Sequence, residues 1–225
     1  MALLVLAALI WIGLHLGIAG TSLRDGIAGR TGENGFRGLF SAMSIAAILF
    51  LVWRYNRAET TALWFAPGWL RWLLVFAMLP AFLLFVASVS APNPTALGGE
   101  GQGPRPARGI QRLTRHPMLW SFAIWAMVHI IGRGDTASIV FFGAFLATAL
   151  AGMPSIDAKL ARRDPAAWAG LAHETSILPF GAIAADRNRF APGEIGWIVW
   201  VGGIAAWIVV LALHQLVFGV APVPR

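Results

Sequence analysis

Long apolar runs, separated by short polar segments, make up most of this chain. A helix needs about 20 mainly apolar residues to cross roughly 30 Å of hydrocarbon, since each residue rises about 1.5 Å. The pattern therefore predicts an all-α fold, a polytopic transmembrane bundle of about six helices, in one membrane domain over residues 1–225. The six runs cover residues 2–19, 35–53, 69–91, 117–131, 136–153 and 195–219.

The fourth run is short for a membrane span. It becomes long enough if its helix begins about a turn earlier, near Gln111, or if it lies tilted among neighbours that thin the bilayer. The polar segments carry the Gly and Pro residues typical of turns, at 32–35, 92–106 and 132–135. The longest of them, 154–194, contains at 156–172 a stretch that could form an amphipathic helix on the membrane surface.

Composition supports the membrane prediction. Of the 225 residues, 58% are hydrophobic and only 12% are charged, whereas a soluble domain carries about 25% charged residues. The chain has no cysteine, which excludes disulfides, thiolate metal sites and cysteine nucleophiles. The net charge of +7 does not indicate a nucleic-acid partner here, because the arginines cluster between apolar runs, where they set topology and meet lipid headgroups.

The distribution of Lys and Arg predicts orientation. Twelve of these residues lie in the first, third and fifth loops and five on the opposite side, so the positive-inside rule places those loops in the cytoplasm and both termini outside. In a bacterium this corresponds to a multi-pass protein of the inner membrane. The twelve are Arg24, Arg30, Arg37, Arg105, Arg108, Arg112, Arg115, Lys159, Arg162, Arg163, Arg187 and Arg189.

Two histidines lie within apolar runs, His15 in the first and His129 in the fourth. A titratable group is costly in hydrocarbon, so each ring should face the bundle interior and have a partner. Each could be a neutral imidazole bonded to a backbone carbonyl, or a ligand; imidazole is the commonest donor to haem iron. Their depths differ by roughly 10 Å, which helix tilt must absorb, and His214 is the competing partner for His129.

A third histidine stands at the entrance to the fourth run, in Thr114-Arg115-His116-Pro117. Thr114 can cap a helix whose first turn holds Pro117, so an ordinary helix start explains the motif. Alternatively, Arg115 and His116 bind an anionic headgroup or a cofactor carboxylate at a helix N-terminus. His173, in the long loop, is expected at the surface. No HExxH, Ser-His-Asp or phosphate-loop pattern is present.

Several blocks resemble the NnrU family of bacterial membrane proteins. The run Thr114-Arg-His-Pro-Met-Leu-Trp120, followed by Trp125-Ala-Met-Val-His129 and Gly134-Asp135, looks like its signature. Further blocks match in order, namely His15-Leu-Gly-Ile-Ala with Leu23-Arg24, Asn93-Pro94-Thr95, and Thr175-Ser-Ile-Leu-Pro-Phe-Gly-Ala-Ile183.

The resemblance implies a function. The family is linked to expression of nitrite and nitric oxide reductases and is similar to zeta-carotene isomerase, a membrane enzyme that uses haem b to isomerise a cis double bond. By motif, the two histidine ligands of that enzyme fall on His15 and His129. A cysteine that can replace one ligand there falls on Ala126 here, so ligand switching cannot occur in the same way.

We therefore expect haem b, with iron bound by His15 and His129, and with Arg24, Arg115 and His116 available for its propionates. The expected partners are membrane lipids and a hydrophobic polyene or lipid substrate. Two alternatives stay open. Isoprenylcysteine and phospholipid methyltransferases also carry Arg-His-Pro at a helix entrance, and a non-enzymatic assembly factor would use its histidines only structurally.

Overall fold

A computed structural model describes residues 1–90, 95 and 106–223. The described part is helical, as predicted, and contains eight α-helices. These are α1 (Ala2–Ile12), α2 (Ser22–Tyr55), α3 (Gly68–Ser90), α4 (Pro117–Arg133), α5 (Thr136–Arg163), α6 (Pro165–Glu174), α7 (Gly181–Ala184) and α8 (Trp197–Phe218). Short 3₁₀ turns occupy Gly109–Arg112 and Pro192–Glu194.

Each of the six predicted spans coincides with a helix. Among the described residues, α2, α3, α5 and α8 are long and apolar enough to cross a membrane. The helical segment Ala2–Ile18 is apolar but shorter, and α4 has 17 residues. Of the two ways considered for lengthening this span, an early start of α4 near Gln111 does not occur. A 3₁₀ turn ends at Arg112, and α4 begins at Pro117, whose missing N–H suits a first helical position; the helix gains its length by continuing to Arg133.

The first helix changes type at Gly13. Residues Gly13–Ile18 form a π-helical segment that contains His15, and the N–H of Ala19 donates to the carbonyl of Leu14 at 3.3 Å. Such π-helical turns inside α-helices occur frequently at functional sites. The first predicted span therefore carries an irregular turn that its apolar pattern did not reveal.

Helix α2 begins earlier than its predicted span, at Ser22, and Gly32 interrupts it. Gly32 has φ 74° and ψ 163°, a conformation that glycine adopts without penalty. The predicted loop at 32–35 is thus a break between two helical halves. Arg24, in the first half, forms an ion pair with Glu33 in the second, which ties the halves together.

The predicted surface helix at 156–172 is wrong in its boundaries. Helix α5 continues ten residues past Met153 to Arg163, and α6 follows with Asp164 as its N-cap, whose carboxylate accepts from the N–H of Ala167. The side chain of Asp164 competes with the helical backbone and therefore favours a helix start at this point.

The chain divides into two compact units. Unit 1 consists of Met1–Ala66 and Ala126–Ser155, and unit 2 of Pro67–Trp125 and Ile156–Arg225 as far as these are described. Unit 1 thus contains α1, α2, most of α5 and the end of α4. Unit 2 contains α3, α6, α7, α8 and the remaining parts of α4 and α5. The prediction of a single domain stays a prediction.

Packing of α3 against α8 dominates unit 2. The close approach of the two helices requires the absence of a side chain at Gly203, since a Cβ there would lie 2.7 Å from Cδ2 of Leu83. The indole N–H of Trp207 donates to the carbonyl of Val75 at 3.0 Å. Large apolar side chains elsewhere on these helices are exposed, such as Trp69 (70%) and Leu216 (82%), which fits helices whose outer faces meet lipid.

Candidate functional site

His15 lies in unit 1 with one ring nitrogen engaged. Its Nδ1 is 2.9 Å from the carbonyl oxygen of Trp11. A carbonyl only accepts, so Nδ1 carries the hydrogen and Nε2 of the neutral ring carries a lone pair. Among the described residues Nε2 forms no hydrogen bond. Metal-binding histidines show this arrangement, because the N–H that donates to a carbonyl fixes the tautomer and the ring orientation.

Aromatic rings surround His15. The Trp11 ring lies 3.9 Å from the imidazole between centroids, and Phe40 of α2 meets it edge-on at 5.4 Å. Trp11 also contacts Phe145 of α5 at 4.9 Å. The environment of His15 is therefore apolar and aromatic on several sides, as expected for a ring turned inward.

His129 lies in the last turn of α4, also in unit 1. Its ring stacks on Phe142 of α5 with a centroid distance of 4.8 Å and an angle of 25°. Phe142 contacts Phe141, which contacts Phe145 at 5.3 Å. A continuous set of aromatic contacts thus links the surroundings of His129 with those of His15. Ala126, one turn before His129, is fully buried.

Buried polar atoms without a hydrogen-bond partner among the described residues include one in α1 and one in the middle of α2. These two are the indole N–H of Trp11 and the hydroxyl of Ser44. Ser44 lies one helical turn after Phe40, on the same face of α2. A buried donor without a partner costs about 1–3 kcal/mol, so an acceptor supplied by a bound molecule would stabilise this region.

Arg24 is buried in unit 1 and has internal partners. It forms ion pairs with Asp25 and Glu33, and its guanidinium lies 5.2 Å from the centre of the Phe36 ring. Phe36 in turn stacks on Phe40 at 5.8 Å. The residue predicted for a propionate thus lies among the aromatic neighbours of His15, with carboxylates already bound to it.

Arg115 and His116 lie in unit 2, where both bind one carboxylate. Nε of Arg115 lies 3.0 Å from each oxygen of Asp157, and Nη2 lies 2.6 Å from Oδ2. Nε2 of His116 lies 2.8 Å from Oδ1. All three side chains are buried, and the guanidinium faces the Trp168 ring at 5.2 Å. In this arrangement the anionic group that the motif binds is Asp157.

The Arg-His-Pro block also joins two other motif blocks. The hydroxyl of Thr114 donates to the carbonyl of Ile177 at 2.8 Å, and so does the indole N–H of Trp120. The N–H of Arg115 donates to Ser176 at 3.1 Å, and its carbonyl accepts from the hydroxyl of Thr95. The hydroxyl of Thr114 also accepts from the N–H of His116, which precedes the first residue of α4; this is a local side-chain turn, and the capping of α4 by Thr114 stays a prediction.

The Gly134-Asp135 turn is part of a network in unit 1. The carbonyl of Gly134 accepts from the N–H groups of Leu63 and Trp64. The carboxylate of Asp135 accepts from the N–H and hydroxyl of Ser138, both at 2.8 Å, and from Thr60 at 2.9 Å. Burial opposes ionisation, but these donors and the nearby Arg133 hold the pKa of Asp135 below its usual value.

The remaining histidines lie elsewhere. Nδ1 of His214 is 2.8 Å from the carbonyl of Val220, in unit 2. His173 is exposed, as predicted, and forms part of an open cleft of about 520 Å³ in unit 2. The cleft is lined by Arg112, Glu174 and Arg187, among others, and these side chains are paired within the protein.

The structure thus brings His15, His129 and Arg24 into unit 1, and places Arg115 and His116 in unit 2. Sequence reasoning missed Trp11 and Asp157. Trp11 lies four residues before His15, so a helical spacing could have indicated it. Asp157 is far from Arg115 in sequence and had no such signal. Within the described residues no group of three or more His, Cys, Asp or Glu side chains could hold a metal ion, whereas haem needs at most two.

Known proteins match this chain over most of its length. A family described as NnrU protein matches residues 3–222. A 15-cis-zeta-carotene isomerase, chloroplastic, from Arabidopsis thaliana is 30% identical over 193 residues, 80% of this chain and 50% of that protein. Its counterpart from Zea mays is 28% identical over 190 residues, 83% and 51% of the two chains.

The chain spans about half the length of the curated relatives it matches. No solved structure matches it significantly. The family match confirms the resemblance carried by the motif blocks, since it extends from the first helix to the last. By this match, which covers nearly the whole chain, the protein belongs to the NnrU family.

Proposed function

We propose that this protein is a membrane haem protein that isomerises a cis double bond of a carotenoid-type polyene. Similarity to two proteins named 15-cis-zeta-carotene isomerase supports the reaction class. The observation that carries the haem assignment is the state of His15: Nδ1 donates to Trp11, and Nε2 is left as a lone-pair donor among aromatic rings.

The residues of unit 1 fit haem b in three respects. His15 has the tautomer of a metal-binding histidine, and His129 would supply a second imidazole within the same unit. The N–H of Trp11 and the hydroxyl of Ser44, which have no hydrogen-bond partner among the described residues, offer donors to a polar edge or substituent of a bound molecule. The linked aromatic rings provide an apolar surface, suited to both a porphyrin and a polyene.

Bound haem supplies a redox-active iron whose electronic state can couple to a conjugated chain. The protein's own residues would hold the haem and orient its ligands. His15 and His129 would bind the iron, and Phe40, Phe142 and Phe145 would exclude water, while Trp11 fixes the His15 ring through its carbonyl. Arg24 remains our proposal for a propionate, and binding there would require it to share or exchange Glu33.

The other assignments are proposals as well. Arg115 and His116 reach a propionate only if Asp157 shares them. The same pairing disfavours a methyltransferase, because the Arg-His pair that would bind its cofactor is already neutralised by Asp157. We retain a bacterial inner-membrane location with the first, third and fifth loops in the cytoplasm, and leave a role in nitrite or nitric oxide reductase expression as a prediction.

An absorption spectrum tests the haem proposal. Protein made with haem available and purified in detergent should show a Soret band, and His15→Ala and His129→Ala should each lose it. His173→Ala is the control, since its ring is exposed and lies in unit 2. Absence of the band in the wild type, or its persistence in both variants, contradicts the ligand assignment.

An isomer assay tests the reaction. Haem-loaded protein incubated with a 15-cis carotene should convert it to the trans isomer, as resolved by chromatography, and His15→Ala should not. Haem binding without conversion would reject the isomerase and keep the haem protein. Conversion by His15→Ala at the wild-type rate would reject the role of His15.

A further inference from the structure

A hydrogen-bond relay with a buried centre connects the Gly134-Asp135 turn to the only tyrosine of the chain, the half-buried Tyr55. The relay starts at Asp135, whose carboxylate accepts from the N–H and hydroxyl of Ser138 and from the hydroxyl of Thr60. Asp135 is only 8% exposed and Ser138 is fully buried. The carboxylate and the Ser138 hydroxyl are therefore shielded from competing water, whereas Thr60, at the other side of the carboxylate, is exposed.

The direction of the relay is set by hydrogen count. A carboxylate only accepts, so Ser138 donates its single hydroxyl hydrogen to Oδ2 of Asp135 at 2.8 Å. The oxygen of Ser138 can then only accept from the phenol of Tyr55, which lies 2.9 Å away. Tyr55 donates to Ser138 and Ser138 donates to Asp135, so the carboxylate fixes the Ser138 hydroxyl and that hydroxyl fixes the phenol of Tyr55.

The ring of Tyr55 carries this order to His129. It stacks on Phe141 at 4.4 Å and meets Phe142 edge-on at 6.0 Å. Phe142 lies in turn against the His129 imidazole at 4.8 Å, nearly parallel to it. Ser138, Phe141 and Phe142 are spaced i, i+3 and i+4 on α5, so one face of that helix presents both the relay and the rings.

We propose that Tyr55 and Ser138 are positioning residues for His129. Their hydrogen bond, anchored on Asp135, fixes the Tyr55 ring, and that ring holds Phe142 in the orientation that sets the plane of the His129 imidazole. The proposal rests on the proposed function only in taking His129 as an iron ligand. Removing the phenol hydroxyl or the serine hydroxyl breaks the hydrogen bond that orients the Tyr55 ring. Neither change removes an aromatic ring.

The test reads the His129 ring directly. Protein with isotope-labelled histidine, in detergent and without haem, gives ring resonances for five histidines, and His129→Ala identifies the relevant set. Tyr55→Phe and Ser138→Ala should each shift the His129 resonances. The double variant should shift them no further than Ser138→Ala alone, because both changes break the same relay.

Thr148→Val is the matched control. Its hydroxyl donates to Ala144 within α5, so its loss should leave the His129 resonances unchanged. His129 resonances unmoved in Tyr55→Phe overturn the proposal, and fully additive shifts in the double variant overturn the relay. If Ser138→Ala does not fold, Tyr55→Phe, which keeps the ring, decides alone.

A second measurement separates this inference from the haem assignment. In haem-loaded protein, Tyr55→Phe should retain the haem but change the electron paramagnetic resonance g-values, which report the orientation of axial imidazoles. A wild type without haem rejects the proposed function, and the histidine resonances still decide the positioning role. If haem-loaded Tyr55→Phe has unchanged g-values, Tyr55 does not position His129.

Discussion

Nε2 of His116 donates to Oδ1 of Asp157 across 2.8 Å, although the two residues are 41 positions apart. The carboxylate also binds Arg115, so one buried anion neutralises the cation of the Arg-His-Pro motif. The donation fixes the tautomer of His116, whose Nδ1 is buried without a partner among the described residues. Asp157 thus holds the two residues that precede α4, Arg115 and His116, in place.

Asp157→Asn should destabilise the protein strongly. Breaking a buried ion pair leaves an uncompensated charge, here on Arg115, at a cost of about 3–5 kcal/mol. The thermal unfolding midpoint in detergent measures the effect. Asp164→Asn is the control, because its exposed carboxylate only caps α6 and such caps contribute about 1 kcal/mol. Equal losses in the two variants would show that the pairing with Arg115 contributes nothing beyond a cap.

Gly134→Ala should be poorly tolerated. Gly134 has φ 64°, and a Cβ there would lie 2.2 Å from the carbonyl oxygen of Trp64. A non-glycine residue in this region costs about 1–3 kcal/mol, and the overlap adds to it. Gly143→Ala, within α5 and with no atom within 4 Å of its added Cβ, should be neutral or slightly stabilising. Expression level and unfolding midpoint compare the two, and a loss in Gly143→Ala of the same size would contradict the argument.

Two adjacent glycines of α8 should respond differently to alanine. At Gly203 the added Cβ would lie 2.7 Å from Cδ2 and 3.1 Å from Cα of Leu83, whereas at Gly202 it meets only Cγ1 of Val86 at 3.4 Å. Overpacking typically costs about 1–3 kcal/mol. Gly203→Ala should therefore lower the unfolding midpoint and Gly202→Ala should change it little. The reverse order would mean that α3 and α8 do not approach most closely at Gly203.

Acid should weaken the contact between Arg112 and Glu194. Hydrogen bonds from Arg112 and from the N–H of Gly109 lower the pKa of Glu194 from 4.5 to about 2. A lowered folded-state pKa gives a stabilising contribution that is complete above pH 4.5 and is lost as the pH falls to about 2. Glu194→Gln should reduce the pH dependence of the unfolding midpoint in that window. Glu59→Gln, at an exposed position, should leave that dependence unchanged. An unchanged acid slope in Glu194→Gln would exclude Glu194 as its source.

Trp11→Phe should leave the ligand-free protein as stable as the wild type or more stable. It keeps an aromatic ring beside His15 and removes a buried N–H that has no partner in the part of the chain that the structure describes; such a donor costs about 1–3 kcal/mol while unsatisfied. With haem, the variant should bind more weakly than wild type if that N–H meets the ligand. Titration with haem, followed by the Soret band, measures this, and unchanged affinity would show that the indole donates nothing to it.

The apolar pattern predicted the helices because a membrane span must satisfy its backbone hydrogen bonds internally, which leaves few alternatives to a helix. The helix boundaries differed from the prediction where a single residue with a special backbone preference outweighs the apolar character of its surroundings. Gly32 breaks α2 inside a stretch that is otherwise helical, and Pro117 starts α4 after a 3₁₀ turn. Helix α5 continues past its apolar part to Arg163 because polar residues with good helix propensity can extend a helix beyond the bilayer.

The candidate site was less accessible from sequence. The cost of a titratable group in hydrocarbon indicated that His15 and His129 face inward, but not which groups meet them. Phe142 and Asp157 come into contact with motif residues only through tertiary packing, and a single sequence contains no signal for pairings between distant helices, whereas Trp11 lies only four residues before His15 in the same helical segment. The roles of Gly134 and Asp135 likewise depend on Trp64 and Ser138, which lie outside the motif.

The π-helical turn around His15 rotates the chain that comes after it. Such a turn holds about one residue more than an α-helical one, so the residues that end the segment point about 100° away from where an uninterrupted α-helix would place them. The angular offset between the Trp11–His15 pair and the start of α2 is therefore built into the chain by one extra amino acid. Shortening the segment by one residue would turn the first helix about its own axis relative to Thr21 and Arg24, even though no side chain at the histidine had been altered.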